Sequence, residues 1–547
     1  MKKILCCLGI LLCSGPLFSQ IKDIVESIHG NFQVDAQYYN QDTAIGAPIV
    51  PQKTLSNGFG NINYIRGNFS AGVRYESYNP VMQGFDTRYQ GSGIPYRYAR
   101  YKAGNLDITA GNFYDQFGSG LVLRIYEERG LLYDNTMDGF RAIYNPIKGI
   151  TLKGMIGHER TFFTVSPGIV RAGDIDINLS ELFDSLNTRK TKVTVGGSFV
   201  SKYQASTSST LNEPGNVGCG GGRLNIIRGG FNVYGEYAYK INDPSLSNNY
   251  SFKNGQGAYV SASYAANGFS VMWAGKYVDN MSFRSDRDQY NTAAMINYMP
   301  ALTKYHTYLL AAYYPYATQP NGEMSTQAEV QYKVKKGTPL GGKYGMEIAG
   351  NASMAYGIDT ANIAPQNDVH KYNYVVKSFA PGEKFFHDFN IEVFKKFTKR
   401  VKATFLYSNQ FYNKNIIQEN SAVNDYANIK ANIFVADFTF KYKPTSSIRM
   451  EAQTLQTKQD KGSWAEAMVE WWPRSNFFLA VLDQYNYGNP DPTKRFHYYL
   501  VNIGIIRDAT RISLTYGKQR AGIFCVGGVC RNVPASDGLS MTITTSF

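Results

Sequence analysis

The sequence predicts an all-β fold, a single large antiparallel transmembrane β-barrel of about 26 strands (24–26) with inward-folded loops. Three observations carry that expectation. Apolar and polar residues alternate with period two along most of the chain. Short and long connections take turns between the alternating segments. The chain ends "DGLSMTITTSF", a strand with one apolar edge and one hydroxyl edge that finishes on an aromatic residue.

Composition points the same way. The 547 residues include 42 Tyr, 32 Phe and 52 Gly but only 18% charged residues, a mix that favours strands and turns over helices. The formal charge is +14. It is scattered, without the dense Lys/Arg run or motif of a nucleic-acid binder, so no nucleic-acid partner is expected.

The first residues, "MKKILCCLGILLCSGPLFSQ", read as a secretory leader. Lys2 and Lys3 form the positive start, and Ile4 to Cys13 an apolar run too short to span a bilayer as a helix. Ser19 suits cleavage before Gln20, although Leu17 is large for its place. A lipoprotein reading fails because Leu12 precedes Cys13 where a small residue is needed. The expected organisation is a cleaved leader over 1–19 and one outer-membrane barrel over 20–547.

In "FNVYGEYAYK", Phe231, Val233, Tyr237 and Tyr239 alternate with Asn232, Glu236 and Lys240; the same period runs through "VKATFLYSNQF" and "FVADFTFKY". A helix would scatter these residues around its axis, whereas a strand puts each set on one face. Short connections include "NPIKG" (145–149), "AANG" (265–268) and "KPTSS" (443–447); long polar ones include 204–215, 241–254, 358–384, 412–430 and 488–494. Alternating short and long connections along an antiparallel meander collects the short turns at one end, as in outer-membrane barrels of Gram-negative bacteria.

The final strand fits that plan. Leu539, Met541, Ile543 and Phe547 would face lipid, with Phe547 near the inner aromatic girdle, and Ser540, Thr542, Thr544 and Ser546 would face the lumen. Such an end resembles the signal read by the barrel-insertion machinery. Basic residues such as Lys148, Arg189, Lys335, Lys396, Arg400 and Arg474 fall at or beside the short turns. There they can meet the anionic headgroups of outer-membrane lipid, or a periplasmic partner.

Little catalytic chemistry is legible. The six histidines show no recognisable pairing with serine, so no enzymatic role and no cofactor are expected. "DIDINLSE" puts Asp174, Asp176, Asn178 and Ser180 on one face but lacks the turn glycine of a calcium loop, and reads as a polar lumen stripe. Three cysteines follow the leader. Cys525 and Cys530 bracket "VGGV", a tight hairpin that a disulfide would suit in an oxidising compartment. A metal held by that pair would lack further ligands. Cys219 is left over.

The densest stretch is 111–146, "GNFYDQFGSGLVLRIYEERGLLYDNTMDGFRAIYNP". It carries Asp115, Arg124, Glu127, Glu128, Arg129, Asp134, Asp138 and Arg141 among glycines and aromatics, and Gly118 and Gly120 suggest a bend. It is too charged for a lipid-facing strand and too apolar for a free loop. It reads as a loop folded into the lumen and held by ion pairs, either a constriction that selects or a structural plug. Something must fill the interior, because a barrel of this size has a diameter on the order of 50 Å. The first candidates are 119–137 and 358–384, or a partner protein.

"GNFYDQFGSGLVLRIYEERGL" with "DNTMDGFRA", and "GKQRAGIFCVGGVCRNVP" near the end, resemble the recognisable segments of an uncharacterised outer-membrane β-barrel family of the Bacteroidota. The resemblance implies fold and location but brings no activity. The functions left are a gated or loop-plugged channel or binding protein for a solute, and a non-conducting component of an outer-membrane secretion or surface-export complex.

Overall fold

The alternation closes on itself in the computed structural model, which describes residues 27–289, 293–362, 373–418, 426–526 and 529–547. Among the described residues twenty-four strands, from Ile28–Asn40 to Ser536–Ser546, form one antiparallel sheet. The last strand pairs with the first over Asn31↔Ser546 to Asn40↔Asp537, and with its other neighbour over Arg511↔Thr544 to Gln519↔Ser536. The sheet therefore has no free edge. At the seam Gly30 and Phe547 exchange two backbone hydrogen bonds of 2.9 Å, and the Phe547 ring lies where a side chain on residue 30 would sit.

Each strand sends one parity outward. On Phe231–Lys240 the outward set is Phe231, Val233, Tyr237 and Tyr239, while Glu236, Ala238 and Lys240 turn inward and are buried. Aromatics such as Phe69, Tyr101, Tyr144, Phe231 and Phe547 ring the short-turn end, and Tyr75, Tyr203, Tyr239 and Tyr516 the other. Aliphatics such as Val73, Leu224, Val260 and Ile503 lie exposed between them. An apolar band between two aromatic girdles is the surface a lipid-embedded barrel presents. Leu539 and Phe547 lie on it, whereas Thr542 donates its hydroxyl inward to Asp35 at 2.7 Å.

The two ends differ as the connections predict. One carries tight turns such as 67–68, 104–105, 229–230 and 508–509; the other carries 41–53, 204–215, 241–254 and 280–321. Three connections break the pattern. Residues 179–190 and 335–345 are long on the short-turn side, and 162–163 is a tight turn among the long loops.

The strand number lies at the low end of the sequence estimate because some strand-like stretches fold inside the barrel, as the Tyr-rich 305–316 does. The proposed inward loop at 358–384 needs correction. Its described parts continue the strands Met346–Asn362 and Tyr374–Lys396 as one hairpin, with Thr360 opposite Val376. The leader lies outside the described residues.

Candidate functional site: a plugged lumen and its vestibule

Two long-end loops, 114–136 and the described parts of 280–321, turn into the barrel and pack against its inner wall. Glycine makes the first turn feasible. Gly118 and Gly120 have φ of +49° and +100°, a region other residues adopt only with strain. A Cβ at Gly118 would strike the carboxylate of Glu236 on the wall, and one at Gly120 would come within 2.6 Å of the Tyr298 carbonyl. The bare backbone instead lets the Ser119 N–H donate to Glu236 at 2.7 Å.

Beyond that turn the two loops pair with each other. The Arg124 N–H donates to the Ile296 carbonyl at 2.8 Å. The Asn135 amide donates to the Met295 carbonyl at 2.6 Å, and the Asn297 amide to the carbonyls of Leu121 and Met281, both at 2.9 Å. Phe117, Val122, Leu123 and Ile296 pack with wall residues such as Val170, Val200 and Cys219 into an apolar cluster. Leu310, Tyr313, Tyr314 and Tyr316 pack on Phe386, Leu406, Ile433 and Trp464 of another wall sector into a second. The lumen face here is an apolar core, where alternation alone suggested a polar lining.

Buried ion pairs fix the plug to the wall. Arg74 holds Glu76 (2.7 Å), Glu127 (2.8 Å) and Asp134, and Arg160 holds Glu76 (2.5 Å) and Asp134 (2.6 Å). Lys202 and Arg287 share Asp243 at 2.6 and 3.1 Å. Lys276 and Glu323, on neighbouring wall strands, meet at 3.0 Å with both side chains fully buried. Glu323 also accepts from the Tyr316 hydroxyl and the Gln319 N–H, each at 2.7 Å. Burial raises the pKa of the loop carboxyl Glu127, against the pull of Arg74. Among the exterior loops, the hydrogen bond from Lys518 holds Asp42 below the usual carboxylate range.

The eight charged residues singled out in 111–146 do not form one cluster. Asp134 and Glu127 join the Arg74–Arg160 network, and Arg129 reaches Glu127 at 2.9 Å. Asp115 instead pairs with Arg141 (3.2 Å) and Lys153 (2.7 Å). Asp138 lies apart, against Arg97 at 2.8 Å. Glu128 caps the N–H of Gly130 at 3.2 Å. Arg124 stacks over Tyr126 and Tyr298, 4.5 and 5.7 Å from the ring centres.

Sequence reasoning missed Arg74, Glu76, Arg160, Asp243, Arg287 and the Lys276–Glu323 pair. Their trace was faint: Arg74, Glu76, Arg160, Lys276 and Glu323 are charged residues near the long-loop ends of their strands, and Asp243 and Arg287 sit in long loops. Asp174 and Asp176 are held by Arg223 at 2.8 and 2.7 Å. Cys525 stands opposite Cys530 in a small hairpin, but their side chains lie outside the described residues. Cys219 is buried and unpaired. One contact superficially resembles hydrolytic machinery. Asp388 receives the Ser408 hydroxyl at 2.7 Å and meets His306 at 2.6 Å. The aspartate stands in the middle, where a base able to activate serine would have to be histidine.

Above the plug a cavity of about 1390 Å³ opens among the long loops. Its lining includes Arg88, Tyr89, Tyr313, Lys414, Lys461 and Arg520. Beside the plug, the inner face of the seam stays polar and half-exposed through Asn502, Thr515, Ser540, Gln37 and Asn61. None of these residues enters the two apolar clusters.

A family model matches residues 1–547. The chain belongs to the family of unknown function DUF6029. No curated protein matches it in sequence. Among solved structures it is similar to the translocation pore of the P pilus usher PapC, at 8% identity and a TM-score of 0.47, covering 95% of this chain and 99% of that one. It is similar to the siderophore receptor PirA of Pseudomonas aeruginosa at 9% identity and a TM-score of 0.40, over 95% and 80% of the two chains. OpdO of the same organism matches at 11% identity and a TM-score of 0.35, over 81% and 98%.

Proposed function

We propose that this DUF6029 protein is an integral outer-membrane barrel of a Gram-negative bacterium of the Bacteroidota that binds a solute in the vestibule. The solute then passes inward along the polar seam, past a plug that stays in place. The observation that carries this reading is the pairing of a fixed plug with a polar lane beside it. The plug has an apolar centre and is ion-paired to the wall through Arg74–Glu127 and Arg160–Asp134, whereas the lane from Asn502 to Asn61 keeps water-accessible amides and hydroxyls. Passage thus needs no expulsion of the plug, and the reading assigns the protein no catalytic role.

Planar-bilayer recording tests it. The intact chain is expected to give small, steady conductance, far below that of an open barrel of this diameter. Ser540→Cys in the lane is expected to lose most of that conductance when a bulky thiol reagent is added. No conductance, or a current indifferent to modification at Ser540, contradicts the lane.

A second reading has one observation behind it. A plug held by buried charge pairs also suits a barrel that never conducts and serves as a component of an export complex. Gentle extraction from the native membrane with a stoichiometric partner, together with a silent bilayer, would favour it.

A further inference from the structure

The vestibule is unevenly charged. On the side nearest the seam, Lys414, Lys461 and Arg520 converge with Asp460. Asp460 is committed to Lys414 at 2.7 Å and accepts the Tyr314 hydroxyl at 3.4 Å. Lys461 has no side-chain hydrogen bond or ion pair among the described residues. Arg520 is nearly as free. Its guanidinium carbon lies over the Tyr313 ring, 4.0 Å from the ring centre, and 5.8 Å from that of Trp464. Among the described residues its one side-chain hydrogen bond is a long 3.4 Å contact to the neighbouring Ala521 carbonyl. Contact with the ring leaves most of the guanidinium N–H groups without a partner among the described residues, an arrangement that suits recognition of a carboxylate or phosphate.

Position matters as much as charge. Arg520 directly follows the strand Thr510–Gln519, whose inner face forms one wall of the polar lane. A solute entering the lane from the vestibule therefore passes two cations that form no ion pair among the described residues, with Asp460 near Lys461 and Glu466 near Arg520. On the wall around the plug, buried Arg74, Arg160, Lys202 and Lys276 each meet a carboxylate, and buried Lys240 donates to the Ser282 carbonyl at 2.6 Å. Cations set in a concave, protein-walled mouth raise the local concentration of anions.

We infer that the vestibule selects small anionic solutes bearing carboxylate or phosphate groups, with Arg520 and Lys461 as the recognising pair at the head of the lane. This inference rests on the vestibule-and-lane reading above.

The test is the reversal potential of the full-length barrel in a bilayer under a potassium chloride gradient, with citrate added on the long-loop side as the probe. The expected result is anion preference in the intact protein and citrate block from that side. The double variant K461E/R520E is expected to shift the reversal potential toward cation preference and to weaken citrate block roughly tenfold or more. Both positions are solvent-accessible, so the barrel is expected to fold. A conducting barrel without anion preference, or one whose citrate block survives K461E/R520E, overturns the inference and leaves the lane standing. A barrel that passes no current at all overturns the reading beneath it.

Discussion

Lys276 and Glu323 show how the plug is held residue by residue. Both side chains are fully buried, 3.0 Å apart, at the root of the loop 280–321. Replacing Lys276 with methionine strands a carboxylate that also gathers Tyr316 and Gln319. Breaking one side of such a buried pair costs about 3–5 kcal/mol. K276M is therefore expected to lower the midpoint of guanidinium unfolding in detergent, and K276M/E323Q to recover most of the loss. Equal midpoints for the single variant and the parent would mean that the pair is not buried. At this scale the sequence was only partly legible. Gly118 and Gly120 announced a bend, and the bend is there, with positive φ at both. The partners of Asp134 were illegible because Arg74 and Arg160 come from strands that only the closed barrel brings together.

Among the elements, strands were readable and loops were not. A strand in a barrel has one apolar and one inward face whatever its neighbours do, so period two survives in Phe231–Lys240 and in Ser536–Ser546 without knowledge of the fold. The loop 280–321 has no such local rule. Leu310 is placed by its N–H bond to Gln453 at 2.9 Å, and Ala311 by the Gln410 amide at 2.9 Å, across more than a hundred residues of chain in the first case. The same distinction explains why 358–384, similar in length and polarity to a plug, instead extends a hairpin. The asymmetry of the ends gives a direct check on orientation. A cysteine at Ser209, in the exposed loop 204–215, is expected to react with an impermeant thiol reagent on intact cells. One at Thr445, in the exposed turn between Ile429–Lys443 and Ser446–Gln456, is expected to react only after the membrane is opened. The reverse labelling would invert the barrel.

The whole molecule is a wide closed sheet whose stability and permeability are set by what fills it. Twenty-four strands enclose more space than wall side chains can occupy. Two of its own loops supply a core, and the seam is left polar. The barrel was readable from alternation and from the terminal aromatic strand; the vestibule was not, because its lining is assembled from many separate loops. Backbone amide exchange of the full-length protein in detergent tests the permanent plug most directly. The amides of Arg124 and Ile296, bonded at 2.8 and 2.9 Å inside the lumen, are expected to exchange as slowly as those of the barrel strands, while those of the exterior loop 204–215 exchange quickly. If Arg124 and Ile296 exchange as fast as that exterior loop, the plug is not packed in the lumen and the barrel is open.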